Sequence, residues 1–362
     1  MARALYIHIP FCNAICYYCD FARVINNADT VDQYLAVLKN DLDSRDLSHI
    51  ETIYIGGGTP SALTLNQLEV LFTMIKPYTK NVIEYTIEIN PESLTSEKAE
   101  LMSAYGINRA SLGMQVSQAH LLKVINRSHT NEEVEAAVNA LHAAGINNIS
   151  LDLMYGIPTQ TLEDVKESLD VITSFKINHV SIYGLTIEPD SVFGKLGYKP
   201  APDDLDADMY ELAIDYLNSK GIKRYEIANF AISGKESLHN QVYWSYDDFV
   251  GVGLHASGKE NNQRYTNTRN LKDYLAGDIS PQVIKLSKED QMFEFIMMNL
   301  RMKKGFDIKR FNQRFDEDFN SLYADVLSGL IRDGLLNLED DNLSASDNGL
   351  NLLFYILEKF MR

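Results

Sequence analysis

The sequence predicts an α/β protein: a partial (β/α)6-type barrel followed by a small, mainly helical C-terminal domain. Three observations predict it. Short apolar runs rich in β-branched and aromatic residues alternate with longer stretches of helical period, about six times. Glycines or polar residues sit at the carboxyl ends of those runs, where (β/α) folds keep their functional loops. After about residue 285 the alternation stops.

The elements follow in order. "LYIHI" (5–9) reads as a strand. "TVDQYLAVLKNDLDS" (30–44) has helical period, with Val31, Tyr34, Leu35, Leu38 and Leu42 on one side. "TIYI" (52–55) runs into Gly56-Gly57-Gly58-Thr59-Pro60, and "LNQLEVLFTMIKPY" (65–78) is helical. Further strands are expected at 82–89, 109–115, 148–156 and 179–187. Helices at 131–145, stopped by Gly145, and at 207–221 separate or follow them. Residues 1–285 then form the barrel domain with its extension. Residues 286–362 form a C-terminal domain, winged-helix-like, with helices at 289–305, 321–336 and 345–362 and a short hairpin within 337–346.

Composition narrows the function. The chain has 362 residues, 45% of them hydrophobic, enough for a sizeable core. No apolar run reaches membrane-spanning length, and the N-terminus lacks a signal-peptide pattern, so a cytoplasmic protein is expected. A net charge of −17 without a basic run argues against nucleic acid as a partner.

All three cysteines fall in "FCNAICYYCDF" (11–21), as Cys12, Cys16 and Cys19. An odd number in such a chain does not make a disulfide framework. Three readings remain: buried thiols packing as small hydrophobes, a zinc site with His8 as fourth ligand, or an iron–sulfur cluster with one iron left without a protein ligand.

The spacing Cys-x3-Cys-x2-Cys after a first strand resembles the signature of the radical S-adenosylmethionine (SAM) enzymes. "GGGTPS" (56–61), one βα unit later, resembles the segment that contacts SAM there. "IEINPES" (87–93), "RASLGMQ" (109–115), "INRSHT" (125–130), "LDLMYGIP" (151–158), "LTIEP" (185–189), "YEIANFA" (225–231) and "HNQVYW" (239–244) follow in order. Together they resemble the oxygen-independent coproporphyrinogen III oxidase-like family, and within it a heme chaperone branch. The oxidase branch carries a further cysteine two residues after the third; here Phe21 stands there.

The resemblance implies a 4Fe-4S cluster on Cys12, Cys16 and Cys19, with SAM on the open iron. It places Tyr6, Tyr18, Gly57, Gly58, Thr59, Glu88, Gln115, Arg127 and Asp152 around the cofactor. It implies heme at "HNQVYW", with His239 as a candidate iron ligand and Tyr243 and Trp244 as aromatic faces. An aromatic anchor between the two domains is an equal reading of those three residues. "GVGLHAS" (251–257) lacks the family's usual Pro-Gly pair and puts His255 there. The expected function is heme chaperoning or transfer, with heme or a porphyrin, a reducing electron donor and a heme-acceptor protein as partners. The alternative is oxidative decarboxylation of coproporphyrinogen III, so whether the chain is an enzyme stays open. A purely structural iron–sulfur protein is disfavoured by "GGGTPS".

Overall fold

The computed structural model describes residues 1–361. Six parallel strands lie side by side in sequence order: β1 (Ala4–Ile9), β2 (Thr52–Gly57), β3 (Glu84–Ile89), β4 (Arg109–Gln115), β5 (Asn148–Tyr155) and β6 (His179–Gly184). Their outer side chains are aliphatic: Leu5, Ile53, Ile87, Ala110, Leu151 and Val180 are buried in the main core. Val31, Tyr34, Leu35, Leu38 and Leu42, the apolar stripe of the helix Ala28–Asp43, pack into that core. The helices start where local chemistry dictates. Thr64 with Gln67, Thr130 with Glu133 and Thr161 with Asp164 form reciprocal capping boxes that satisfy otherwise orphaned N–H groups.

The sheet does not end at these six strands. Phe249–Val252 pairs parallel with β1, and a meander of Ser257–Glu260, Gln263–Thr266 and Gln282–Lys285 continues outward. Asn229–Ala231 and Lys223–Arg224 extend the opposite edge, antiparallel to β6 and to each other. The arrangement is an open sheet of 12 strands rather than a closed ring. Asn261 and Asn262, at φ 51° and 60°, turn one meander hairpin with the left-handed pair a two-residue loop needs.

A second apolar core gathers Phe295, Phe306, Phe311, Phe319, Leu343 and Ile356, and Tyr246 reaches it from the barrel side. The helix expected over 289–305 covers Lys288–Asn299 only. The stretch after it leads to Gly305, whose φ of 60° and tight approach to the Leu343 carbonyl no other residue fits. This region holds more strand than expected. Leu336–Glu339 and Asn342–Ala345 form the hairpin read from 337–346, and Phe306–Asp307 adds a third strand. Asp340 and Asp341, at φ 49° and 68°, make its turn.

Candidate cofactor site

The loops at the carboxyl ends of β1 to β6 enclose a cavity of about 370 Å³, the size range of small-molecule sites. Cys12, Cys16 and Cys19 line it together with Tyr18, Gly57, Gly58, Thr59, Glu88, Gln115, Arg127 and Asp152. Residues separated by up to 140 positions thus share one wall because each ends a neighbouring strand or follows one.

The glycine segment is tied to the cysteine loop by backbone. Gly58 N–H donates to the Ile9 carbonyl and Thr59 N–H to the Phe11 carbonyl, both at 2.8 Å. The Thr59 hydroxyl donates to Cys12 Sγ at 3.6 Å. Gly57 N–H donates to Glu88 Oε2 at 2.9 Å. These N–H groups are therefore spent inside the protein, and a ligand's ammonium would find carbonyl acceptors here. Gly57 has φ +112°, and a Cβ on it would meet the His8 ring at 2.5 Å; a Cβ on Gly58 would meet Pro10 backbone at 2.7 Å. Both glycines are required by the close approach of the two loops.

Glu88 and Asp152 form the acidic floor. Tyr54 donates to Glu88 at 2.8 Å and Ser111 to Asp152 at 3.1 Å. Burial pushes the Glu88 carboxyl up to about 7, against the pull of Tyr54 and Gly57 N–H. Burial likewise raises Asp152 to about 6, against Ser181 and Ser111. Above them, Arg127 donates to Asn90 at 2.6 Å and to the Tyr18 hydroxyl at 3.2 Å, while its Nε has no partner. Gln115 sits at a β-bulge with φ 66°, a strained conformation that aims its side chain across Gly113. Burial raises Cys12 and lifts Cys19 to about 11, with Arg23 opposing at both.

Four of the expected residues lie elsewhere. Tyr6 lies outside the cavity wall: it donates to His8 Nδ1 at 3.0 Å and stacks on Tyr54, and His8 Nε2–H donates to the Ala22 carbonyl. His8 is thus occupied, not a fourth ligand beside the cysteines. His239, Tyr243 and Trp244 lie at the opposite, N-terminal end of the barrel. The helix Leu238–Trp244 is held there by Glu84, at the start of β3. Glu84 accepts from Leu238 N–H at 2.9 Å, His239 N–H at 2.8 Å and the Ser237 hydroxyl at 3.3 Å. His239 is 1% exposed. Its two ring nitrogens are shared with Thr52 Oγ1 at 2.9 Å and the Tyr243 hydroxyl at 2.7 Å. Burial, with Arg109 nearby, lowers it to about 3, so the ring is neutral. Trp244 stacks under the Arg301 guanidinium. In this geometry the three residues anchor the barrel end, and His239 has no free nitrogen for iron.

Other residues line the cavity that the motifs did not single out: Asp20, Arg23, Tyr54, Asn90, Ser111 and Tyr183. Tyr54, Ser111 and Tyr183 occupy alternate strand positions on the inner face, a period-two signal that was available.

The donor set fits a cluster better than a single ion. Among the described residues no three His, Cys, Asp or Glu side chains converge as ligands of one metal ion would. Three thiols spread along a cavity wall suit a polynuclear cluster in which each thiolate takes one iron. Beside them, an acidic floor, carbonyl-rich glycines and a half-partnered guanidinium suit a ligand with cationic, hydroxyl and carboxylate groups, as SAM has. Fold and site together define a radical SAM protein. The profile of the Radical SAM superfamily matches residues 6–172, and that of the HemN C-terminal domain matches residues 286–352. The chain is 38% identical to the heme chaperone HemW of Lactococcus lactis, over 99% of this chain and 97% of that one. It is 34% identical to HemW of Bacillus subtilis, over 96% of each. Its fold matches that of coproporphyrinogen III oxidase (HemN) from Escherichia coli with a TM-score of 0.87, covering 99% of this chain and 90% of that one at 22% identity. The chain belongs to the HemW family of the radical SAM superfamily.

Proposed function

We propose that this protein is a cytoplasmic heme chaperone: it binds heme and passes it to an acceptor protein. Its relatives named heme chaperones match it along nearly their whole length. The observation that carries the reading is at the cavity mouth. Phe21, 63% exposed, stands where the resembling oxidases carry a further cysteine, and the chain's three thiols all line the cavity together. Heme transfer needs a face for the ring and no chemistry on its side chains.

Cys12, Cys16 and Cys19 would hold the 4Fe-4S cluster, which supplies an electron to the sulfonium of SAM when both are bound and a reducing donor is present. Gly57, Gly58 and Thr59 would face SAM's amino group, Glu88 and Asp152 its cationic and hydroxyl groups, and Gln115, Arg127 and Tyr18 its polar periphery. Separate apolar cores support treating residues 1–285 and 286–362 as two units. Among the described residues no helix is long and apolar enough to cross a membrane.

The test is anaerobic reconstitution followed by heme and coproporphyrinogen III in turn. Heme should bind with a shifted Soret band, and no protoporphyrinogen should form with SAM and a reductant present. Turnover of coproporphyrinogen, or absence of any heme binding, would overturn the proposal.

A further inference from the structure

The rim beside the cysteine loop has a composition unlike the rest of this acidic chain. Phe21 is 63% exposed on the cavity wall, and the next outward-facing apolar residue of that segment, Ile25, is 52% exposed. Arg23, also on the wall, donates from Nη1 to the Phe21 carbonyl at 3.0 Å, and its Nε has no partner. Arg269 arrives from the extension and donates to the Asp20 carbonyl at 2.8 Å, which brings a second guanidinium to the same loop. His255 completes the group. It feels both Arg269 and Asp20, and burial and Arg269 lower its pKa, which leaves a neutral imidazole. Its turn is fixed: the Tyr34 hydroxyl donates to the His8 carbonyl at 2.7 Å and accepts from Leu254 N–H at 2.9 Å. His255 itself takes φ 56°, a left-handed conformation uncommon outside glycine that histidine adopts more readily than most residues. Two guanidiniums against one carboxylate, Asp20, with a neutral imidazole beside them, make this a cationic patch with an exposed aromatic face on a chain of net charge −17.

That chemistry fits a flat aromatic ligand bearing carboxylates. Guanidiniums pair with carboxylates through charge-assisted bonds, and an exposed ring offers a stacking face. We propose that this rim is the binding site for a metal tetrapyrrole with two propionates: the ring lies against Phe21, the carboxylates against Arg23 and Arg269, and His255 faces the metal. The inference rests on the heme-chaperone reading and moves the ligand from the sealed His239 helix to the mouth of the cofactor cavity. A tetrapyrrole there sits beside SAM and the cysteine loop, so cofactor state and heme occupancy are coupled by contact.

The experiment titrates heme and its dimethyl ester into the full-length, cluster-reconstituted protein, with iron and sulfide content measured on every variant. Wild type should bind heme at least about tenfold more tightly than the ester, the value of one to two charge-assisted bonds. Arg23→Gln and Arg269→Gln should each weaken heme about tenfold and leave the ester unchanged. His255→Ala should alter the Soret position, and His239→Ala should not. Equal wild-type affinity for heme and ester overturns the site whatever the variants do. So does unchanged heme affinity in both arginine variants with cluster content intact. No heme binding by wild type at all overturns the chaperone reading itself.

Discussion

The two ends of the barrel are built from the same kinds of residue and end in opposite conditions. At the N-terminal end, Glu84 receives three donors, His239 is held by Thr52 and Tyr243, and His179 by Ser150 and Tyr225. At the C-terminal end, Glu88 and Asp152 face a cavity and burial holds both carboxyls well above their ordinary range, while the unpartnered Nε atoms of Arg127 and Arg23 have counterparts at the other end in Arg109 Nε and Trp244 Nε1. Buried polar groups that find partners within the protein fix a fold. Those left facing a cavity wait for a ligand to complete them. Residue type alone does not separate the two, since each end has a carboxylate, a histidine or cysteine set, and tyrosines.

The sharpest break of the comparison comes from Cys16→Ser. It should abolish the cluster, measured as a fall from about four irons and four sulfides per chain, while circular dichroism and melting temperature stay near wild type. A full cluster in the variant would remove that loop from the site. Next in size is Glu84→Ala at the other end. It strips the cap from the Leu238–Trp244 helix and should cost about 3 kcal/mol in denaturant unfolding, with the cluster still loading in the folded fraction. Loss of cluster at unchanged stability would mean that the N-terminal end serves the cofactor after all.

The smallest effect, and the one that separates site from scaffold, is Glu88→Gln. The folded-state pKa of Glu88, about 7, lies above the ordinary carboxyl value. The ionised form is therefore the one the fold disfavours. That penalty is absent below the ordinary value, grows as pH rises toward 7 and is complete above it. Glu88→Gln should accordingly stabilise the cofactor-free protein at pH 8 by about 1–2 kcal/mol and weaken SAM about tenfold. In wild type, calorimetric SAM affinity should rise with pH through the window from about 6 to about 7 set by Asp152 and Glu88, then level off. A pH-independent affinity would show that neither carboxyl meets a charged part of SAM.

Much of this was legible in the sequence, and the limits have physical causes. The six strands, the cysteine loop and the hairpin within 337–346 announce themselves by short-range pattern. Convergence on one cavity also follows, because strand ends in a parallel sheet share an edge. "HNQVYW" left two readings open, heme ligand and aromatic anchor, because its residue types suit both. What decides its location is Glu84, more than 150 positions earlier, and no local pattern reports that pairing. Tyr6 is a simpler case: it is on the inner face, hydrogen-bonded to His8, and lies outside the cavity wall. The parallel pairing of Phe249–Val252 with β1 joins segments some 245 residues apart, beyond any periodicity.

That last pairing also orders events in time. β1 carries the cysteine loop, and one of its two neighbours in the sheet is Phe249–Val252. At synthesis rates of about 5–20 residues per second, that neighbour leaves the ribosome roughly 10–50 s after the cysteines. Through that interval the three thiols ride on a nascent chain whose first strand is half-sheltered, and Arg269, which steadies Asp20, does not yet exist. The loop that carries the three cysteines therefore reaches its final surroundings only after the extension, with Phe249–Val252 and Arg269, has been made and has folded against it.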